Sequence, residues 1–462
     1  MNTVEVLQRL DRETKAEVFL VGGFVRDYLR RKNNTDLDVV VRRLSLRNIK
    51  KFLRKYGRVK EVRLAKTNDS FAVNILLFKA SPKDFEAQIT LPRRGKMQIP
   101  DSHNTLQQDV RFRDFRINCL YLPINYRSRG DIIDLVGGRQ DIVNRRLVSN
   151  GSANERMKES PIRMMRAISL ASRTNYTIDE EIIEAIQANA ALIDRCPEEV
   201  IRDEFNKILM SKKPSKYLRL LKKTGLLERI APEVYGCVGV KQDPRYHKYD
   251  VFTHLIYSVD NCEPDLTIRL AALLHDTGKA ATRRETREGG VTFHKHEMVS
   301  VKLTREFMRR MRYDLKITRR VISLVKLHMY HFTREWTDAA VRKFIRKSEI
   351  SPDYMTADKI GTFPLFRLRA GERLGNGLKG IAVTDRQKDF EKKILDVYKQ
   401  TTGLEIKDLD IDGSVLMETF RIKPGVQIGK ILKFLLERVL ERPSLNNRLD
   451  LLKLTTEYLH GE

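Results

Sequence analysis

The pattern of apolar and polar positions changes near residue 150. Before that point, short apolar runs rich in β-branched residues alternate with helical stretches, which predicts an α/β region. After it, apolar residues recur at helical spacing in almost every segment, and Gly and Pro mark the segment ends. The chain is therefore predicted to be α+β and mostly α, with an α/β head followed by helices only.

Composition breaks divide the helical remainder. They lie near residue 150, near 235, where YGCVGVKQDPRYHKYD interrupts the helices, and between 345 and 375. A chain of 462 residues exceeds what one hydrophobic core usually supports, so several packed units are expected. The predicted organisation is a head at 1–148, a helical neck at 149–235, a third domain at 236–345, and a helical C-terminal body and tail at 346–462.

The charge balance favours a polyanionic partner. The chain has 88 Lys and Arg against 61 Asp and Glu, and the resulting net charge of +27 attracts RNA, DNA or an anionic membrane surface. The sequence shows neither a run of about 18 apolar residues nor a signal-peptide core. We therefore expect a cytoplasmic protein without a membrane partner. The four cysteines lack paired spacing and are expected to be core thiols. The oligomeric state stays open.

The first chemical signal is VFLVGGFVRDYLRRKNNTDLDVVVRR at 18–43. An apolar strand leads into Gly22 and Gly23, a basic helix carrying Arg26 follows, and a second strand presents Asp36 and Asp38. Residues two apart on a strand project on the same face, so the two carboxylates can jointly bind divalent cations beside a triphosphate. The paired glycines let backbone N–H groups approach phosphates. This order and spacing indicate metal-dependent transfer of a nucleotide.

These residues also carry a family resemblance. GGFVRD followed by DLD resembles the GGxVRD and DxD signature of the nucleotidyltransferases that include bacterial CCA-adding enzymes and poly(A) polymerases. The likeness covers essentially the whole chain. Further blocks resemble that family in the same order: LPRR at 91–94, RDFRINCL at 113–120, DLVGGRQDI at 134–142 and KESPIRMMRAISLASRTNYTID at 158–179.

The resemblance implies roles for individual residues. Asp36 and Asp38 would be the catalytic carboxylates that bind Mg²⁺, and Arg113 with Asp114 would sense the ribose hydroxyl. Glu86 is a weaker candidate for a further acid in that site. The implied partners are tRNA, CTP and ATP. The implied nucleotide-binding residues are Gly22, Gly23, Arg26, Arg113, Asp114, Asn118, Glu159, Arg163 and Arg166.

The chain departs from the family pattern at several positions. Ser160 stands where the base-reading Asp is expected, Phe112 where the first Arg of RRD is expected, and Ser169 where the Arg of RxRF is expected. Gly95 replaces the Glu expected after LPRR. A serine carries no charge and is shorter than aspartate. The sequence therefore leaves open whether full CCA, CC alone, A alone or poly(A) is added.

A second constellation lies between 254 and 331, where most of the nine histidines cluster. ALLHDTGK resembles the motif of HD-domain phosphohydrolases, in which imidazoles and carboxylates bind a divalent metal such as Mg²⁺, Mn²⁺, Ni²⁺ or Co²⁺. Asp358 is a candidate distal acid, and His331 could face the same site or flank it. The expected ligands are His254, His275, Asp276, His296 and His328. In relatives that combine both domains, the resemblance implies phosphatase or 2′,3′-cyclic phosphodiesterase activity on RNA ends.

Two alternatives remain beside a CCA-adding enzyme with an HD domain. One is a poly(A) polymerase that uses ATP on RNA 3′ ends. The other is an HD phosphohydrolase whose head binds RNA without polymerising. The pair Asp36 and Asp38 favours a polymerising head, whereas Ser160 and Phe112 weakly favour the second alternative.

Overall fold

A computed structural model describes residues 1–33, 37–64, 73–94, 99–286, 290–400 and 405–460. The chain forms two compact units, Met1–Pro232 and Glu233–Glu462. The predicted class, α+β and mostly α with an N-terminal α/β head, is confirmed. The catalytic candidate Asp36 lies outside the described residues, as does Gly95.

A mixed sheet forms the centre of the head. Its strands are β1 (Glu17–Val21), β2 (Leu37–Arg42), β3 (Arg58–Leu64), β4 (Val73–Lys79), β5 (Ala87–Thr90), β8 (Leu120–Pro123) and β9 (Ile133–Asp134); short pairs are formed by β6 (Arg93–Arg94) with β7 (Ile99–Pro100) and by β10 (Arg146–Leu147) with β11 (Thr177–Ile178). In the described residues the seven strands follow the order β3-β4-β5-β2-β1-β8-β9, and every pair is antiparallel except β2 with β5.

Helices cover both faces of this sheet. Leu7 and Leu53 belong to the buried cluster on one face, and Leu106 and Val110 to the cluster on the other. A capping box between Asn2 and Glu5 satisfies backbone N–H groups at the start of the first helix. The head helices are α1 (Thr3–Glu13), α2 (Gly23–Leu29), α3 (Leu46–Leu53), α4 (Leu106–Val110) and α5 (Gly138–Val143).

A group of helices completes the first unit. The segment 160–161 separates two of them, where Ser160 leaves helical geometry and Pro161 is the N-cap of the next helix. That next helix is almost fully buried and packs against the helix that begins at Glu198. The helices are α6 (Ala153–Glu159), α7 (Ile162–Thr174), α8 (Glu180–Asn189), α9 (Glu198–Leu209), α10 (Pro214–Lys223) and α11 (Leu226–Ile230).

The second unit is helical apart from a short antiparallel strand pair. That pair is β12 (Arg284–Glu285) with β13 (Val291–Thr292). The helices are α12 (Pro232–Tyr235), α13 (Val251–Asn261), α14 (Leu266–Leu274), α15 (Lys279–Thr282), α16 (His296–Arg310), α17 (Leu315–Leu327), α18 (Asp338–Ser348), α19 (Pro364–Gly375), α20 (Asp385–Gln400), α21 (Gly413–Phe420), α22 (Val426–Glu441) and α23 (Arg448–His460).

Packing in this unit places α13 against α14 and α19, and α14 and α16 against α17. An aromatic cluster of Tyr330, Phe344, Phe366 and Phe390 lies beside them, and Trp336 packs edge-on against it. Among the helices searched in the described part of the chain, none combines the length and apolarity needed to cross a membrane.

Candidate active sites

The turn after β1 brings the backbone next to a carboxylate of β2. Gly22 has φ +64°, a left-handed conformation that favours glycine. A Cβ atom at Gly22 would lie 3.0 Å from Asp38 Oδ2, so a larger residue would crowd that carboxylate. Because β1 and β2 are antiparallel, the end of β1 lies beside the start of β2. The Gly-Gly turn and Asp38, both candidates from the sequence, therefore lie together at one corner of the head.

A cavity of about 500 Å³ opens at this corner. Its wall combines carboxylates, guanidinium groups and apolar surface, a mixture suited to a nucleotide triphosphate with a base at one end. The cavity contacts Gly22, Gly23, Arg26, Asp38, Arg93, Phe112, Arg113, Asp114, Phe115, Asn118, Ser160, Ile162, Arg163, Arg166, Ser169, Leu170, Arg173, Val200, Glu204 and Lys207. The structure thus brings together every described nucleotide-site candidate from the sequence except Glu159.

Asp114 is a buried acid of this cavity. Its Oδ1 accepts hydrogen bonds from the N–H of Phe115 at 2.8 Å and from Asn118 Nδ2 at 3.2 Å. Its Oδ2 lies 2.6 Å from Nη2 of Arg166, whose side chain is half-exposed. Burial alone would raise the pKa of Asp114, but Arg166, followed by Arg163, holds that pKa below its ordinary value. An ionised acceptor therefore lies at the cavity wall.

Arg26 ties helix α2 to the segment that carries Asp114. Its Nη1 donates to Asn118 Oδ1 at 2.9 Å, and its Nε and Nη2 donate to Asp27 at 3.1 and 2.6 Å. Asn118 in turn donates to Asp114. Arg26 and Asp27 are buried, so this network fixes the turn after β1 relative to the acid.

Arg113 forms its ion pair with Asp109 and not with the adjacent residue Asp114. Its Nη2 lies 2.9 Å from Asp109 Oδ2, and its Nε donates to the same oxygen at 2.9 Å and to the Tyr121 hydroxyl at 3.0 Å. Tyr121 also donates to Asp109 at 2.8 Å. Arg113 thus lines the cavity, but its hydrogen bonds anchor α4 to β8. The spacing of Asp109 and Arg113, four residues apart, is a signal that sequence reasoning could have used.

Arg163 and Glu159 form a second fixed pair. Arg163 Nη1 donates to Glu159 Oε2 at 2.9 Å and to the carbonyl of Arg156 at 3.1 Å, and its Nη2 donates to the carbonyl of Phe112 at 3.0 Å. Glu159 also accepts from Arg156 at 2.7 Å, and it does not line the cavity. Hydrogen bonds to these backbone carbonyls therefore hold the Arg163 side chain in place at the cavity wall.

The two serine departures have different surroundings. Ser160 lines the cavity, and its hydroxyl has no hydrogen-bond partner among the residues that the structure describes. Ser169 donates to Glu204, a buried carboxylate that also pairs with Lys207 at 2.8 Å. The hydroxyl of Ser160 is thus available to a ligand, whereas that of Ser169 is used within the wall.

The second unit contains a buried cluster of histidines around Asp276. His254 comes from α13, His275 and Asp276 follow α14, His296 begins α16, and His328 follows α17. All five side chains are buried. A Cβ atom at Gly278 would lie 2.2 Å from the carbonyl oxygen of His296, so only glycine permits this approach of the HDTG segment to α16. The structure thus brings together all five metal-ligand candidates.

Backbone carbonyls orient three of the imidazole rings. Nδ1 of His275 lies 2.9 Å from the oxygen of Ala272, and Nδ1 of His328 lies 2.7 Å from that of Val325. Nδ1 of His296 makes the same contact, 2.8 Å from the oxygen of Phe293. A carbonyl only accepts, so each Nδ1 carries a proton, and Nε2 of each ring is the nitrogen that can bind a metal. This is the arrangement by which proteins orient metal-binding histidines.

The Nε2 atoms converge on the Asp276 carboxylate. Nε2 of His254 and His275 lie 3.5 and 3.4 Å from Oδ2, and Nε2 of His296 and His328 lie 3.1 and 3.5 Å from Oδ1. Burial alone would raise the pKa of Asp276, but Lys279 and His275 hold it well below the ordinary value. Imidazole nitrogens around an ionised carboxylate fit a divalent transition metal.

Glu372 is an acid of this site that sequence reasoning missed. It comes from α19, lines a cavity of about 450 Å³ together with Asp276, Lys279 and His296, and pairs with Arg369 at 3.0 Å. Burial would raise its pKa, but Arg369, then the neighbouring histidines, lower it to about 2. A carboxylate three residues after an arginine is a common helix-surface pattern, so the sequence offered no distinguishing signal.

Three weaker sequence candidates lie elsewhere. Asp358 is exposed in a loop with its carboxylate hydrogen-bonded to Thr356, and it does not line the cavity at Asp276. His331 is exposed and lines a separate cavity with Tyr330 and Phe332, so it flanks the histidine cluster. Glu86 is exposed beside Arg58, Lys60 and Lys79, away from the cavity at Asp38.

The sheet with its Gly-Gly turn and Asp38 defines a nucleotidyltransferase head, and the histidines around Asp276 define an HD-type domain. Family models agree: "Poly A polymerase head domain" matches 18–148, "Probable RNA and SrmB- binding site of polymerase A" matches 175–237, and "HD domain" matches 251–386. The chain belongs to the family of bacterial CCA-adding tRNA nucleotidyltransferases and poly(A) polymerases with a fused HD domain. The resemblance found in the sequence is confirmed.

Named relatives support this membership, and a solved structure shows the same fold. The CC-adding tRNA nucleotidyltransferase of Thermus thermophilus is 27% identical over 92% of this chain and 90% of its own length. The multifunctional CCA protein of Janthinobacterium sp. (strain Marseille) is 30% identical over 64% of this chain and 69% of its own length. The Bacillus stearothermophilus CCA-adding enzyme, solved with CTP, shares the fold with a TM-score of 0.67 at 17% identity, over 99% of this chain and 97% of its own.

Proposed function

We propose that this nucleotidyltransferase adds nucleotides from CTP and ATP to the 3′ end of tRNA. The observation that carries this proposal is the cavity at Asp38, which joins the Gly22 turn and that carboxylate to Asp114, Arg163 and Arg166. A nucleotide bound in this cavity can contact the backbone of the Gly22 turn, the carboxylates and the guanidinium groups at the same time. The relatives named for CC or CCA addition support tRNA as the polymer.

The donor set at Asp38 fits Mg²⁺. Carboxylate oxygen is the ligand that Mg²⁺ prefers, and Gly22 leaves space beside Asp38 Oδ2. Asp38 would bind the ion, and Asp36, outside the described residues, is proposed as its partner. When bound, Mg²⁺ stabilises negative charge on the triphosphate and activates the attacking hydroxyl. In the reaction, the 3′ oxygen of the tRNA bonds to the α-phosphorus, and the bond to pyrophosphate breaks.

The remaining cavity residues position the nucleotide. Asp114 is an ionised acceptor suited to a ribose hydroxyl, and Arg166 is the cation paired with its Oδ2. Arg163 and Ser160 lie where the neck closes the cavity, and their groups suit the edge of a base. The net charge of +27 favours a large RNA substrate held through its phosphates.

The experiment that tests this proposal measures product length on a denaturing gel. Purified protein, Mg²⁺ and tRNA transcripts ending before the tail, after C, or after CC are incubated with CTP, ATP or both. Three nucleotides added to the shortest transcript would establish CCA synthesis, and CC or A alone would establish a divided activity. A long A ladder would instead support a poly(A) polymerase, and absence of extension would contradict a polymerising head.

We also propose that the HD domain hydrolyses phosphoesters at RNA ends, as a phosphatase or 2′,3′-cyclic phosphodiesterase. The supporting observation is the cavity beside Asp276, where Lys279, Arg369 and Arg373 can bind phosphate. The ion is proposed to be Mg²⁺, Mn²⁺, Ni²⁺ or Co²⁺. Such an activity would supply the free 3′ hydroxyl that the head requires. Asp276→Ala should eliminate hydrolysis of a tRNA with a terminal cyclic phosphate and leave nucleotide addition unchanged; residual hydrolysis at the wild-type rate would exclude this site.

The boundaries of the four predicted domains, 1–148, 149–235, 236–345 and 346–462, stay predictions, as does a cytoplasmic location. The HD match extends to residue 386 and so includes α19.

A further inference from the structure

A second cavity of the helical unit shares two arginines with the cavity at Asp276. This side cavity has a volume of about 460 Å³ and is lined by Tyr330, His331 and Arg386 besides the shared residues. Arg369 and Arg373 lie four positions apart on α19, so they project from the same face of that helix. Among the described residues, these two arginines alone line both cavities. A group bound to them can therefore be reached from either cavity.

The two shared arginines keep hydrogen-bond donors that the protein does not use. Nη1 of Arg369 donates to Glu372 at 3.0 and 3.1 Å, and Nε of Arg373 donates to the carbonyl of Ile381 at 2.7 Å. In the part of the chain that the structure describes, Nη2 of Arg369 and both Nη groups of Arg373 have no hydrogen-bond partner. Guanidinium groups with paired free N–H donors suit a phosphate.

Aromatic rings form much of the remaining wall of the side cavity. Phe332 and Phe390 are buried and stacked, with ring centroids 4.3 Å apart. The ring of Tyr330 lies below Arg369, whose Cζ is 5.8 Å from the ring centroid. His331 adds an exposed imidazole. Unstacked bases of single-stranded RNA bind on such rings and on guanidinium planes, so this wall suits a nucleobase.

The charges of the side cavity favour an anionic ligand. Arg386 is exposed and brings a third guanidinium to the wall. The acid among the described lining residues is Asp385, whose side chain is 97% exposed, so water screens its charge. Glu372 lines the cavity at Asp276 but not the side cavity, and it is already paired with Arg369. Cations therefore outnumber acids where the two cavities meet.

We propose that the side cavity binds the nucleotide that precedes the last one of an RNA whose terminal phosphate lies at Asp276. The last nucleotide occupies the cavity at Asp276, and Arg369 and Arg373 bind the phosphodiester that joins the two nucleotides. The preceding base lies on the aromatic wall. Both cavities, at about 450 and 460 Å³, fall within the range of about 300–1,000 Å³ that is typical of small-ligand sites.

This inference rests on the proposed hydrolytic function and specifies its substrate. The substrate is an RNA end of at least two nucleotides, and a free mononucleotide would leave the side cavity unused. Binding can be measured without hydrolysis, because a chelator removes the metal that the chemistry requires. Failure of the side cavity and failure of the activity are therefore distinguishable.

Trp336 provides a reporter for the side cavity. It is the single tryptophan of the chain, so neither the head nor the neck contributes to its signal. Its ring centroid lies 5.8 Å from that of Phe332 and 5.4 Å from that of Phe390, which both line the side cavity. A base that stacks on this wall should change the fluorescence of Trp336.

The first test titrates the full-length protein in chelator and follows Trp336 fluorescence. The probes are the dinucleotide CpC with a 3′-phosphate, cytidine 3′-monophosphate and inorganic phosphate. We expect a saturable change with the dinucleotide and at least about tenfold weaker binding of the other two, because they lack the second base and the phosphodiester. No saturable change with the dinucleotide, or equal affinity for dinucleotide and mononucleotide, would overturn the proposal.

A pair of arginine variants tests the location of binding. Arg386→Ala should weaken dinucleotide binding by about tenfold, since it removes a charged donor from the wall. Arg334→Ala is the matched control, because Arg334 is also exposed but pairs with Asp389 and does not line the side cavity. If Arg386→Ala melts far below the parent, Arg386→Gln replaces it with the same expected result. Equal effects of the Arg386 and Arg334 variants would contradict the assigned site.

Hydrolysis is assayed separately with Mn²⁺. The parent should show a kcat/KM at least about tenfold higher for CpC with a 2′,3′-cyclic phosphate than for cytidine 2′,3′-cyclic phosphate, and Arg386→Ala should reduce this ratio. Dinucleotide binding without hydrolysis would support the side cavity and contradict the proposed activity. Hydrolysis of both substrates at equal kcat/KM, with unchanged Trp336 fluorescence, would support the activity and overturn the side cavity.

Discussion

Asp114 Oδ2 lies 2.6 Å from Arg166 Nη2, and this ion pair joins the head to helix α7 at the wall of the nucleotide cavity. The acid is buried, whereas the arginine is half-exposed. Arg166 therefore stabilises the negative charge of Asp114, and a ribose hydroxyl can donate a hydrogen bond to this ionised carboxylate. In the proposed role of Asp114, the pair would link recognition of the sugar to the position of the helix that also carries Arg163.

Asp114→Asn should weaken the preference for ribonucleotides. The amide keeps the shape of the side chain but removes the charge-assisted acceptor, whose net value is about 1.5–3 kcal/mol. We expect the ratio of kcat/KM for CTP over dCTP to fall by about tenfold or more, a change of about 1.4 kcal/mol. Asp131→Asn, an exposed acid of the same domain, is the matched control. An unchanged ratio would remove Asp114 from sugar recognition.

Asp38→Ala should reduce nucleotide addition by at least about a hundredfold, because charge stabilisation by a bound metal is worth several kcal/mol. The side chain is at the edge of β2 rather than in the core, so the fold should persist. Single-turnover extension of a tRNA transcript and a thermal melt measure the two effects. Glu86→Ala, an exposed acid of the same head, should leave addition unchanged. Addition at full rate by folded Asp38→Ala would contradict the proposed metal site.

Ser160→Asp should sharpen selection of the base. The new carboxylate would accept from the exocyclic amino group of cytosine or adenine and repel the carbonyl of uracil, so discrimination against UTP should rise by about tenfold. Competition between CTP and UTP for addition to one transcript measures this discrimination. Ser152→Asp is the control, because Ser152 caps α6 outside the cavity and aspartate caps a helix equally well. Equal changes in both variants would show a general charge effect rather than base reading.

Asp109 should contribute to stability in a pH-dependent way. Burial would raise its pKa, but Arg113 and Arg93 hold the pKa below the ordinary value. A depressed pKa gives stability that is present above the unfolded pKa of about 3.9 and is lost as pH falls through the folded value. Between pH 7 and pH 5, Asp109→Asn should therefore have a free energy of unfolding about 3 kcal/mol below that of the wild type. This difference between the two proteins should become smaller below about pH 4. Urea unfolding of both proteins across this pH range measures the difference. A difference that grows as the pH falls would contradict a lowered pKa of Asp109.

Apolar patterning predicted most of the head sheet. β1, β2, β4, β5 and β9 all fall in the apolar runs that the sequence shows. β3, with the sequence RVKEVRL, has charged residues at four of its seven positions, as suits the edge strand that it forms in the described part of the sheet, where it pairs with β4. β8 is four residues long and begins at the last residue of the RDFRINCL block, so its strand signal is weak.

Local motifs predicted the chemistry better than distant contacts did. Asp276 and its histidines were found because HD is adjacent in sequence and the other histidines are rare, whereas Glu372 reaches the site only through the packing of α19 on α13. Likewise, the hydrogen bond from Tyr121 to Asp109 depends on the end of α4 facing β8. These contacts depend on tertiary packing, which periodicity alone does not reveal.

Glu372, rather than Asp358, should be the second acid of the HD domain. Glu372 lines the cavity at Asp276 and stays ionised, with a pKa of about 2, whereas Asp358 is exposed in a loop. Glu372→Gln removes a negative charge beside the proposed ion and should reduce hydrolysis of a cyclic-phosphate tRNA end by at least about tenfold, since a hydrogen bond to a charged group is worth about 1.5–3 kcal/mol. Nucleotide addition by the same protein should not change. Glu372→Asp should restore part of the activity, and Asp358→Asn should match the wild type. The opposite result, loss of hydrolysis in Asp358→Asn and a normal rate in Glu372→Gln, would contradict this prediction. The second acid of the HD domain would then be Asp358, as the sequence alone had indicated.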